Sequence, residues 1–569
     1  YRQFTITIAV SVLLSTVVAL TLSPVMCSLI LKPDSGKKKN IVFRKINEWL
    51  NLGNHKYVAV INRVIRNPRR LMSAFGLVLV AIFIIHRLVP TSFLPVEDQG
   101  YFKIELELPE GATLERTRVV TDRAVQYLEK NPYVAYVQNV TGSSPRVGSN
   151  QARSELTVIL KPWEERKGIS IDKIMENVEK DLKEYPECKV YLSTPPVIPG
   201  LGTSGGFEMQ LEARGEATCD NLVQAADTLM YYAQKHKELT GLSSSLQSEI
   251  PQLYFDVDRD KVKMLGVPLA DVFSTMKAYT GSVYVNDFNM FNRIYKVYIQ
   301  AEAPYREHKD NINLFFVKAK DGVMVPLTSL GNASYTTGPG SIKRFNMFTT
   351  AVIRGSAAQG YSSGQAMEIM EQIARNHLPD NIGLEWSGLS YQEKKAGGQT
   401  GLVLTLVFLF VFLFLAAQYE SWTVPIAVLL SLPVAALGAY LGVVICGLEN
   451  DIYFQIGLVM LVGLAAKNAI LIVEFAKVQV DKGGDLIQSA IHAAQLRFRP
   501  ILMTSLAFVL GMLPMVLASG PGSASRQAIG TGVFFGMIFA IVFGIVLVPF
   551  FFVLVYKTKA KVQHKIKKD

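Results

Sequence analysis

Ile456 to Phe475, IGLVMLVGLAAKNAILIVEF, is long and apolar enough to cross a bilayer, yet it carries Lys467 and Asn468 near its middle. An ammonium at that depth costs about 2.5 to 3.5 kcal/mol on insertion scales and persists only when paired or hydrated. Glu474, seven residues on, shares nearly the same helix face but lies about 10 Å further along the axis, near the membrane edge. No other apolar span of the chain contains an Asp or Glu. The sequence therefore places the partner of Lys467 outside this polypeptide.

Working outward, spans of bilayer length occur at 4–31, 71–89, 400–418, 423–445, 452–476, 499–518 and 528–556. The chain opens Tyr1-Arg2-Gln3 and runs directly into the first of them, without the basic start and short apolar region of a secretory signal. That opening reads as an internal span of a longer protein. Half of the 569 residues are apolar and the net charge is +11. Eleven of the cations fall between Lys32 and Arg70 and six lysines between Lys557 and Lys568. Both runs flank apolar spans, as the positive-inside rule expects of cytoplasmic segments, and this placement argues against nucleic acid as a partner. Alternation from there puts 90–399 outside, and the loop bearing Lys477, Lys482, Arg497 and Arg499 inside with the tail at 557–569. Within 32–70, Phe43, Ile46, Leu50, Tyr57, Ile61 and Val64 recur at helical spacing among basic residues, the pattern of a helix lying on the cytoplasmic membrane surface.

The outer segment alternates strand and helix patterns. Phe102 to Leu108 alternates as a strand, 113–129 follows helical spacing, then come strands at 134–140 and 155–160, a helix at 171–185 and a strand at 189–192. This β-α-β, β-α-β order predicts a ferredoxin-like split repeat. A second copy is expected from strands at 207–213, 241–245 and 253–257, helices at 221–236 and 269–278, and a strand past 349. Ser282 to Gln300, aromatic and β-branched with Asn286, Asp287 and Asn292 as turn formers, reads as a projecting hairpin. A helix at 363–376 and a strand at 384–387 lead back to the membrane. The predicted fold class is a multi-pass α-helical membrane domain with an exported α+β domain.

Catalytic constellations are absent from that exported part. It has no Gly-rich phosphate loop, no nucleophile elbow and no His/Cys cluster at ligand spacing; His236, His308 and His377 are widely separated. Cys188 and Cys219 begin elements of different subdomains, which argues against a disulfide between them.

Tyr1-Arg2-Gln3-Phe4, Pro95-Val96-Glu97-Asp98-Gln99-Gly100, Tyr284-Val285-Asn286-Asp287-Phe288, Tyr391-Gln392-Glu393, Tyr419-Glu420-Ser421-Trp422, the run Ala466 to Lys477 and the run Arg499 to Ser505 resemble the resistance-nodulation-division (RND) efflux pumps, hydrophobe/amphiphile branch. The resemblance covers the whole chain and matches the family's C-terminal half, from its sixth transmembrane helix onward. It implies a proton-driven secondary transporter of the bacterial inner membrane with a large periplasmic porter domain, no enzyme activity and no cofactor. It implies a homotrimer working with a periplasmic adaptor and an outer-membrane channel, and multidrug resistance as the outcome. The family's proton relay pairs two aspartates on its fourth span with a lysine, an arginine and a threonine. Lys467, Arg497 and Thr504 match the last three, with Asn468 as a supporting polar residue, and the aspartates belong to the half outside this chain.

For small amphiphilic substrates, the family uses a cleft between porter subdomains with a flexible loop, here Gly142 to Gln151. Phe207 and Met209 match apolar positions of its entrance. Where drug pumps of this branch often carry phenylalanines, this chain has Gln138, Ser143, Pro145 and Thr157, and a less aromatic pocket loses stacking on flat drugs. Gly457, Gly463, Gly511, Gly530 and Gly532 are expected to let helices approach closely enough to slide. Two rival readings remain: a metal-ion pump, if the outer methionines converge on one thioether site, and a non-transporting membrane sensor with the same spans.

Overall fold

The structure, a computed structural model, describes residues 2–30, 41–144, 148–166, 168–202, 205–246, 248, 250–358, 360–397 and 400–566. Among them, seven helical segments are long and apolar enough to cross a membrane, from Ala9–Ile30 to Ser523–Ala560. The chain is a multi-pass membrane protein with a strand-rich region between its second and third spans.

Helices α1 (Arg2–Leu20) and α2 (Leu22–Ile30) form the first span, and α3 (Ile41–Arg66) leads into α4 (Pro68–Leu88). Leu50, Tyr57 and Ile61 of α3 are buried with Val64 packed beside them, so one stripe of this helix faces the bundle. The side chains of Phe43 and Ile46 lie outside the described residues, as does most of the basic run at 32–39.

The strand-rich region opens with β1 (Tyr101–Glu107), α5 (Leu114–Glu129), β2 (Val134–Ser144), β3 (Gly148–Leu160), α6 (Ile171–Leu182) and β4 (Lys189–Ser193). Thr113 and Ser170 cap the two helices by accepting from Arg116 N and Lys173 N. The strands pair antiparallel in the order β2-β3-β1-β4. Phe102, Ile104 and Leu106 of β1 meet Ala124, Leu128, Ile174 and Val178 from the helices in one apolar core.

Then follow β5 (Phe207–Ala213), α7 (Cys219–Ala233), β6 (Leu239–Ser244), β7 (Ile250–Val257), α8 (Arg259–Met264), α9 (Leu269–Thr280), β8 (Val283–Met290), β9 (Arg293–Ile299), β10 (Phe316–Lys318), β11 (Met324–Pro326), β12 (Gly331–Gly338), β13 (Lys343–Phe345), β14 (Phe348–Ala357), α10 (Ser363–His377) and β15 (Ile382–Trp386). The second sheet joins β6 to β14, β14 to β5 and β5 to β15, with β13 added beside β14. Sequence patterning misassigned two of its parts. The third-strand place expected for β7 is taken by β14, between β6 and β5, and β7 pairs with β12 in a separate ribbon. The second helix over this sheet is α10, whereas α9 belongs to an insertion with its own small core of Val262, Val272, Phe315, Val317, Leu327 and Leu330.

Strands β8 and β9 form a two-stranded ribbon, as their aromatic and β-branched run predicts. Its turn is Phe291-Asn292, both in the left-handed region at φ 52 and 57. This is the twist-matching hairpin geometry, and Asn286 marks a register shift instead of a turn. Apolar side chains stand out on it, Phe291 at 83% and Ile294 at 71% exposure.

Helices α11 (Gly388–Gly397), α12 (Thr400–Tyr419), α13 (Val424–Leu429), α14 (Leu432–Cys446), α15 (Ile452–Asp481), α16 (Leu486–Val516), α17 (Ser523–Phe539) and α18 (Ile545–Ile566) complete the bundle, with a π-helical turn at Ala540–Gly544 between the last two. α15 and α16 overrun the spans expected for them. Only 482–485 separates them, so Arg497 and Arg499 sit within a helix and not in a loop. Helix α14 packs closely on α17. A Cβ built on Gly438 would stand 2.6 Å from Phe539 Cβ and 2.7 Å from the Phe535 carbonyl oxygen. Gly530 and Gly532 are similarly confined, whereas Gly463 and Gly511 meet nothing within 4 Å among the described residues.

Candidate functional site

Lys467 lies midway along α15 and is exposed on the surface of the described bundle. No hydrogen bond or ion pair joins it to any described residue. Glu474 is exposed two turns away on the same helix and does not reach it. The neighbouring Asn468 points the other way, 6% exposed, and donates through Nδ2 to Ser505 Oγ of α16 at 3.0 Å. This is a buried polar tie between two apolar helices at the level of the lysine. Beside it a small cavity is lined by Ser431, Asn468, Ala469, Ala540 and Gly544, against the π-helical turn.

Arg497 and Thr504 stand on α16 about 10 Å apart along the axis. The Arg497 guanidinium lies over the Phe475 ring of α15, its Cζ 3.6 Å from the ring centroid, and its Nε is buried without a hydrogen-bond partner among the described residues. Thr504 donates to the Pro500 carbonyl at 3.0 Å and lies within 3.2 Å of the Ile501 carbonyl, so its hydroxyl is satisfied within its own helix. The structure thus ties α15 to α16 at Asn468–Ser505 and at Phe475–Arg497. It shows no direct contact of Lys467, Arg497 and Thr504 with one another among the described residues.

In the strand-rich region, Gln138 and Thr157 face each other across β2 and β3, and Ser143 pairs with Ser149. The loop expected at 142–151 is the far end of this hairpin, with strand pairing up to Ser144 and from Gly148; Pro145 lies outside the described residues. Phe207 and Met209 do not line an open wall. They are 2% and 0% exposed in the core under β5, with Phe207 edge-on to Trp386, because β5 is a central strand covered by α7 and α10.

Sequence reasoning passed over the junction between the bundle and the strand-rich region, where the family-like runs around Glu97 and Glu393 meet. Residues 89–98 run across the helix ends. Asn450 N donates to the Pro90 carbonyl at 2.8 Å, Ser92 N to Asn450, Ile452 N to Phe93, and Gly364 N of α10 to Thr91. The Glu97 carboxylate accepts from Ala524 N at 3.3 Å and Ser525 N at 2.9 Å, occupying the positive end of α17. Ser363 of α10 donates to Glu393 of α11 at 2.8 Å. Burial pushes the Glu393 carboxyl up to about 7 against that hydrogen bond, and Glu449 adds to the push. Burial likewise raises Glu449, and carries Asp451 up to about 6 although it accepts from Phe454 N. Their signal in the sequence was acidic residues placed at the ends of apolar runs.

The model of the AcrB/AcrD/AcrF family matches residues 1–556. The multidrug/solvent efflux pump membrane transporter MepB of Pseudomonas putida is 39% identical over 562 residues, covering 98% of this chain and 53% of that protein. The multidrug resistance protein MdtF of Escherichia coli strain K12 is 39% identical, with 98% and 54% covered. The multidrug export protein AcrF of the same strain is 37% identical over 564 residues, with 98% and 54% covered. The chain spans about half the length of the curated relatives it matches.

Proposed function

Because this chain belongs to the AcrB/AcrD/AcrF family of RND efflux pumps, we propose that it forms the C-terminal half of a proton-driven transporter exporting amphiphilic small molecules. The observation that carries this reading is Lys467, a cation at the middle of an apolar helix with no partner among the described residues. Such a group is costly in a bilayer and marks an ion pathway. In the proposed cycle, carboxylates supplied from outside this chain hold the ammonium while deprotonated and release it when protonated. Lys467 then turns to a second partner and the helices shift. Arg497 holds α16 against Phe475, Asn468 keeps α15 in register with Ser505, and Thr504 gives its hydroxyl to the relay by leaving the Pro500 carbonyl.

The domain plan follows the same reading: span 1–31, cytoplasmic amphipathic helix within 32–70, span 71–89, periplasmic porter region 90–399 with a docking insertion near 280–345, five spans over 400–556 and a basic cytoplasmic tail. The two sheets are ferredoxin-like repeats, a reading supported by their matching strand orders β2-β3-β1-β4 and β6-β14-β5-β15. The substrate path runs past the polar hairpin face of Gln138, Ser143 and Thr157, to which the family resemblance adds Pro145. Phe207 and Met209 support it from the core. The assembly is an inner-membrane homotrimer with a periplasmic adaptor and an outer-membrane channel. The names of the relatives point to drugs and solvents, which disfavours a metal-ion cargo.

The test is efflux from cells producing the pump, comparing wild type with Lys467→Ala at matched membrane level and intact assembly. Abolished efflux, reproduced in wild type by a proton uncoupler, supports the relay. Undiminished efflux reduces Lys467 to a bundle contact and favours the sensor reading.

A further inference from the structure

Helix α3 carries one acidic residue, Glu48, against five cations, and its two flanks differ in kind. With the stripe of Leu50, Tyr57 and Ile61 against the bundle, one flank is amide-rich. Asn47, Asn51 and Asn62 lie there, and Asn47 accepts from Arg499 of α16 at 2.6 Å. The other flank gathers Lys45, Trp49, Leu52, Lys56, Val60 and Arg63 within an arc of about 80° at 100° per residue. On it Trp49 is 62% exposed, Leu52 56% and Val60 43%, interleaved with exposed Lys45, Lys56 and Arg63. Glu48 sits outside this arc and is engaged by Arg44 at 3.7 Å.

A helix bathed in water has no use for an exposed indole and leucine between its cations. The chain enters α3 from one span and leaves it directly into another, Pro68–Leu88, which fixes the helix at bilayer depth. We infer that this flank is a docking surface for anionic phospholipid: the indole, Leu52 and Val60 enter the acyl boundary while Lys45, Lys56 and Arg63 meet lipid phosphates. The inference rests on the reading of α3 as a helix along the cytoplasmic membrane face and adds headgroup selectivity to it. Aromatic rings favour the interfacial depth, and cations near an anionic leaflet gain from its negative potential. Zwitterionic headgroups carry no net charge for the three cations to collect.

The experiment uses the whole protein reconstituted in vesicles of one fixed mixture of phosphatidylcholine and phosphatidylglycerol, with bromine on the tails of either lipid in turn. The Trp49 signal is isolated as the difference from Trp49→Phe. Brominated phosphatidylglycerol is expected to quench Trp49 several-fold more than brominated phosphatidylcholine, with the difference shrinking as salt is raised. Each of Lys45→Gln, Lys56→Gln and Arg63→Gln is expected to lower the preference by up to about fivefold. Arg44→Gln, on the far side of the helix, leaves it unchanged. The salt titration needs only the conservative Trp49→Phe, so a charge substitution that fails to fold does not remove the test. Equal quenching by the two lipids overturns the selectivity and leaves the surface-helix reading intact. Absence of quenching by both overturns the two together.

Discussion

Removing the Glu97 carboxylate should loosen the first turn of α17, although the two are more than four hundred residues apart in the chain. Amides in the first turn of a helix have no acceptor within the helix, and here Ala524 N and Ser525 N are served by Glu97 at 3.3 and 2.9 Å. Hydrogen bonds to a charged acceptor are each worth about 1.5 to 3 kcal/mol, and a carboxylate at a helix N-terminus adds about 0.3 to 1 kcal/mol. The 3.3 Å contact is weak and water partly replaces both, so Glu97→Ala is expected to cost about 2 kcal/mol of local stability. That is roughly thirtyfold in the opening equilibrium. Glu97→Gln keeps a neutral acceptor and should cost about half as much, roughly fivefold. Hydrogen exchange by mass spectrometry on the protein in nanodiscs, following peptides over 523–530, reads both numbers. Exchange in Glu97→Ala within twofold of wild type would refute the cap and with it the idea that residues 89–98 hold α17 in place.

The buried Asn468–Ser505 tie should give a coupling of about 0.5 to 1.5 kcal/mol in a double-mutant cycle of Asn468→Leu and Ser505→Ala, read by chemical unfolding in mixed micelles; strict additivity would mean that the contact contributes nothing. Gly438→Ala places a methyl against Phe539 Cβ and the Phe535 carbonyl, neither of which can swing aside, and should destabilise by about 1 to 3 kcal/mol, seen as a lower melting temperature in detergent; an unchanged transition would show that α14 and α17 separate freely. Burial pushes the Glu393 carboxyl up from its ordinary 4.5 to about 7. The stability it contributes is thus fully present below about 4.5 and lost as pH rises through about 7. With exchange expressed as protection relative to the unstructured peptide at each pH, protection over 360–397 should therefore fall between about pH 4.5 and 7 in wild type and stay flat in Glu393→Gln, and a parallel fall in both would assign the effect elsewhere.

The apolar spans and the first sheet were legible because hydropathy and strand alternation are local signals. Phe102, Ile104 and Leu106 announce β1, and the run from Gly401 announces a span, without knowledge of anything distant. The second sheet was only half legible. Its third strand, β14, follows β6 by more than a hundred residues, and β7, with a comparable pattern, offered itself first. At the candidate site, Lys467 was conspicuous because a charge in an apolar run has few explanations. Phe475 under Arg497 was not, since a ring under a guanidinium looks in sequence like any other core aromatic. Phe207 and Met209 matched pocket positions in register but sit under a central strand, a placement that only sheet order decides. The carboxylates at the junction escaped notice because each depends on partners from a different segment.

The threading of residues 89–98 over the helix ends decides where this protein can be cut. A strand-rich fragment beginning at residue 90 would carry Pro90 and Phe93 carbonyls whose donors, Asn450 and Ile452, stay behind in the bundle. One beginning after Gly100 would strip Arg166, 1% exposed, of Asp98, its carboxylate at 2.7 Å. A cut at Val96 keeps the Asp98–Arg166 ion pair but takes from Gly364 N of α10 its acceptor, the Thr91 carbonyl. That cut also carries Glu97 away from the amide pair of α17 that it caps, so neither piece leaves the division intact.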